Sequence, residues 1–77
     1  MTTKRNAAGK AETVITAANR AELEALASMG RPALAARAAT LQGHLNSNSF
    51  ESGWTWLDLS TFRRELADLR AAWRLAR

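Results

Sequence analysis

Apolar residues in the C-terminal third of the chain recur on a helical period. Leu59, Phe62, Leu66, Leu69 and Trp73 are separated by 3, 4, 3 and 4 positions, which places them on one face of a helix. The pattern predicts a long amphipathic helix that begins between Trp54 and Ser60 and runs to the C-terminal end. Upstream, Leu34, Ala38, Leu41 and Leu45 are separated by 4, 3 and 4 positions and predict a second helix over Ala33 to Leu45. Pro32 suits a first helical position, where its missing N–H costs nothing. Asn46-Ser47-Asn48-Ser49 cannot sustain that helix, because short polar side chains compete for the backbone, and it reads as a loop. A shorter stripe, Leu23 and Leu26 with Ala27, predicts a helix over Arg20–Met29. Asn19 and Glu22 have the spacing of a capping box, and Gly30 stands where a left-handed stop belongs.

The N-terminal residues lack this periodicity. Met1 to about Ala11 is small, polar and charged, with Lys4, Arg5 and Lys10, and reads as a flexible basic arm. Residues 12–77 read as a single domain. Glu12–Thr16 contains the β-branched Val14 and Ile15. It is expected as a helical or extended lead-in, since a lone strand has no evident partner other than Trp54-Thr55-Trp56. The expected fold class is therefore all-α: an αα-hairpin followed by a long C-terminal amphipathic helix.

Composition bounds the core. The chain has 77 residues, and alanine supplies much of its 47% hydrophobic content. Apolar burial contributes about 25 cal/mol per Å², so a core this poor in large side chains is only marginally adequate alone. Two expectations follow: a second copy of the chain or a partner that completes the core, or a small helical bundle just stable enough alone. Cysteine is absent, which excludes disulfides and thiolate metal sites and fits a cytoplasmic location. No apolar run follows the N-terminal charges, as a secretory leader would require, and no run approaches the roughly 18 apolar residues of a membrane span.

Net charge is +4, which favours acidic partners. On the C-terminal helix Arg63, Arg70, Arg74 and Arg77 fall in one narrow stripe beside the apolar face, with Glu65 and Asp68 opposite. A guanidinium row of this kind can grip carboxylates or track phosphates. Phe50, Trp54 and Trp56 form an aromatic cluster beside the polar loop. Tryptophan is enriched at binding hot spots and stacks on unpaired bases. Trp54 and Trp56 alternate, so in an extended segment one of them is expected to be exposed.

The turn Met29-Gly30-Arg31-Pro32 superficially resembles that of a helix-turn-helix. The following helix, however, offers a base edge only Arg37, Thr40, Gln42 and His44, and an αα-hairpin fits better. Catalysis has little to stand on. His44 is the single histidine, expected to face solvent near a helix end. The carboxylates are scattered, and no nucleophile motif or phosphate loop is present. No catalytic, cofactor or metal residues are expected.

The expected function is a small non-catalytic binding protein that docks on a larger protein or complex with an acidic surface and inhibits or regulates it. Small single-domain regulators of this kind are common on phages and other mobile elements, which extends the expectation to a host defence or regulatory complex as target. The contact residues expected are Arg63, Arg70, Arg74, Arg77, Trp54, Trp56, Phe50 and Arg37. Nucleic-acid binding through the basic arm and the arginine-lined face is the alternative. A homodimeric module with Leu59 to Trp73 as its seam is a further one.

Overall fold

The computed structural model describes residues 3–5, 9–46 and 53–76. Two short strands, β1 (Thr3–Arg5) and β2 (Ala11–Thr13), precede three helices, α1 (Arg20–Ala27), α2 (Arg31–Asn46) and α3 (Trp56–Leu75). The chain is mostly helical, and the two strands form an antiparallel ribbon in which Lys4 stands opposite Glu12. Thr3–Arg5, expected within a flexible arm, thus supplies the strand partner that the sequence reading lacked. Glu12 and Thr13 are extended and buried.

The helix ends follow local chemistry, with one correction. Asn19 occupies the N-cap position of α1 but makes no side-chain cap bond. Its amide instead stitches the preceding loop. Asn19 Oδ1 accepts from the Thr16 N–H at 2.7 Å, and Nδ2 donates to the Val14 carbonyl at 2.9 Å. The expected box with Glu22 therefore does not form, because Asn19 is buried beneath the turn it organises. Gly30 adopts φ +87°, and α2 starts at once, with Leu34 N–H bonded to the Gly30 carbonyl. At α3, Thr55 and Asp58 form a reciprocal capping box.

α3 is the centre of the molecule. α2, α1 and β2 all pack chiefly on it, whereas α1 and α2 touch each other little. The expected αα-hairpin is therefore a pair of consecutive helices, each docked on the third. Leu34 and Leu41 of α2 meet Leu66, Leu69 and Ala72 of α3, and Ala76 just beyond its end, in the main core. Ala67 and Ala71 are also buried. Their small side chains let neighbouring elements approach α3 on more than one face. None of the described helices is long and apolar enough to cross a membrane.

Candidate binding surface

The arginine row of α3 is partly enclosed. β2 lies along it, and three successive residues are bonded across. Arg70 Nη1 donates to the Ala11 carbonyl at 2.7 Å, and Arg74 Nε donates to the Glu12 carboxylate at 2.7 and 2.8 Å. Thr13 Oγ1 donates to Asp68 Oδ1 at 2.5 Å. The Glu12 side chain is 4% exposed and that of Arg74 56% exposed. Arg70 and Arg74 therefore bind the ribbon to the helix before they meet anything outside the chain. Arg37 of α2 is likewise engaged, at 3.1 to 3.2 Å from both carboxylate oxygens of Glu65.

Arg63 stands ahead of the covered section. It is exposed and forms no ion pair or hydrogen bond among the described residues. Arg77 and Phe50 lie outside the described residues.

The guanidinium groups sort by what holds them. Arg20, Arg37 and Arg74 are neutralised by Glu24, Glu65 and Glu12. Arg5, Arg31 and Arg70 are held by the neutral carbonyls of Gly9, Trp73 and Ala11. Each is anchored by a neutral acceptor, and no carboxylate pairs with it among the described residues. Arg31 also stacks over the Trp73 ring, 5.1 Å from its centroid, a cation–π arrangement. Leu34, Ala38, Leu69 and Trp73, rimmed by Arg31 and Arg74, line a groove of about 510 Å³ between α2 and α3.

The aromatic residues divide. Trp54 is half-buried and packs edge-on against Phe62, with ring centroids 5.1 Å apart. His44 completes the cluster at 5.2 Å from Trp54 and 5.4 Å from Phe62. This corrects the expectation of a solvent-facing histidine. The last turn of α2 lies against the entry to α3, so the imidazole finds aromatic neighbours there. Trp56 is 71% exposed and Leu57 61% exposed. Both sit in the turn that the Thr55–Asp58 box fixes. Leu57 was not foreseen as a contact residue, because the heptad pattern drew attention to Leu59 instead.

Leu66 and Leu69, central to the proposed dimer seam, are buried within the chain's own core. Among the described residues no three His, Asp or Glu side chains are grouped as metal ligands.

Among the described residues, Trp56 and Leu57 are the exposed apolar side chains of the α3 start, and Arg5, Arg31, Arg63 and Arg70 pair with no carboxylate. Comparison with known proteins yields no matching family model, no matching curated protein and no matching solved structure.

Proposed function

We propose that this chain is a non-catalytic binding module that docks on a larger protein through the first turns of α3. The observation that carries the reading is the pair Trp56 and Leu57, large apolar side chains held outward by a capped helix start. A tryptophan presented on a rigid element loses little conformational freedom on binding, which is why such residues concentrate binding energy. Arg63 and Arg64 follow on the same helix and are exposed. They favour a partner whose apolar pocket is rimmed by carboxylates. Inhibition or regulation of that partner is the role this reading assigns.

The test compares capture of partners from nuclease-treated lysate by the wild-type chain and by a Trp56→Ala, Leu57→Ser variant whose helical circular dichroism matches wild type. A partner retained undiminished by the variant sinks the reading.

Nucleic-acid binding remains the second reading, favoured by cations of the ribbon lying beside those of α3. Salt separates the two. Phosphate-dominated binding falls linearly in log salt, while an aromatic-anchored protein interface changes far less.

A further inference from the structure

The ribbon folds back so that charges distant in sequence meet at one place. Arg5 and Lys10 line the same cavity as Arg63 and Arg70 of α3, beside Gln42 and Asn46 of α2. The cavity measures about 460 Å³, and no carboxylate lines it among the described residues. From this juxtaposition we infer that the cavity is a binding site for a phosphate-type oxyanion.

The argument rests on how its arginines are held. Arg5 Nη1 donates to the Gly9 carbonyl at 2.6 Å, and Arg70 Nη1 donates to the Ala11 carbonyl at 2.7 Å. Neutral acceptors anchor one N–H of each guanidinium and leave its positive charge in place. Each retains further N–H donors for a ligand, since a guanidinium carries five. Arg63 adds a third uncompensated guanidinium, two turns before Arg70 on α3. By contrast, the arginines neutralised by glutamates line no part of this cavity.

Preorganised donors around an uncompensated charge are what an anion receptor requires. The amide side chains of Gln42 and Asn46, bonded to each other at 2.9 Å, supply neutral polar lining. The carbonyl end of α2 opposes an anion there, but its fractional charge is outweighed by three full cations. The ligand chemistry is a phosphate group, free or in a nucleic-acid backbone. The site shares Arg63 with the docking surface but not Trp56 or Leu57, so the Trp56→Ala, Leu57→Ser variant leaves the cavity lining intact and either reading can fail without the other.

The test is an amide NMR titration of the full chain with sodium pyrophosphate at constant ionic strength. Saturable shifts are expected at Gly9, Ala11, Gln42 and Asn46. Arg63→Ala is expected to weaken the affinity by about tenfold, the scale of one charge-assisted contact. Arg64→Ala is expected to leave it unchanged, since Arg64 is exposed but lines no part of the cavity. Arg63 is also exposed, so its removal spares the core, and the variant's spectrum verifies its fold.

Shifts that never saturate, or equal losses in the two variants, overturn the site and leave only diffuse charge. A glutamate-rich peptide that shifts the same amides more tightly than pyrophosphate overturns the phosphate class. In a parallel arm, a single-stranded oligonucleotide that binds these residues more tightly than pyrophosphate identifies the phosphodiester as the source. No gain from the oligonucleotide identifies a free phosphate compound.

Discussion

The bond between Glu12 and Arg74 is asymmetric, and the asymmetry is measurable. Arg74 is largely in water and Glu12 is not, so losing either partner has a different consequence. Arg74→Ala strands a buried carboxylate and is expected to cost about 2–3 kcal/mol. Glu12→Gln keeps the shape and returns the exposed guanidinium to water, at a cost of about 1 kcal/mol or less. Urea denaturation of both variants checks the order, and equal losses would show that Glu12 is not confined as described. Gly43 provides the opposite sign. It lies within α2, and a Cβ added there meets nothing within 4 Å. Gly43→Ala is therefore expected to stabilise the chain by about 0.5–1 kcal/mol, read as a rise in melting temperature of several degrees. Trp56 gives a third handle at this scale. Its exposure predicts that Trp56→Phe shifts the intrinsic fluorescence to shorter wavelength, because the half-buried Trp54 then carries more of the signal.

α3 begins where it does because Thr55 and Asp58 satisfy each other's backbone N–H groups. Thr55→Ala is expected to cost about 1 kcal/mol and to loosen the presentation of Trp56, measurable by hydrogen exchange in the first turn. The ribbon behaves differently. All of β1 is exposed, while β2 is fastened to α3 by bonds from Ala11, Glu12 and Thr13. Deleting residues 1–8 is therefore expected to leave helical circular dichroism nearly unchanged, whereas deleting residues 1–13 uncovers part of α3 and lowers the melting temperature sharply.

The contrast between the elements explains what could be read in advance. The three helices were legible because Leu23 and Leu26, Leu34 and Leu41, and Leu66 and Leu69 keep helical spacing. Gly30 and Pro32 punctuate it, and local chemistry decides such features. The ribbon was not legible, because its burial depends on partners 55 to 62 positions away, and a three-residue strand has no period to recognise. The same remoteness hid the candidate site. Arg63 and Arg70 were visible as a stripe, but that Glu12 would neutralise Arg74 and that Arg5 would join Arg63 are facts of tertiary folding. Asn19 misled for a related reason: its spacing to Glu22 fits a cap, and burial redirected its amide to the loop.

At the scale of the whole molecule, a single central helix collects α1, α2 and β2, and alanine makes that possible. Ala67, Ala71 and Ala72 bring neighbours close to the α3 axis from several directions. A core of few large residues is thereby spread around one shared helix. The attachment of β2 to the final turns of α3 has a further consequence for how the protein comes into being. During synthesis the ribbon is made well before Asp68, Arg70 and Arg74, the side chains that receive it. The nascent ribbon must wait, undocked, until those turns of α3 have also left the exit tunnel.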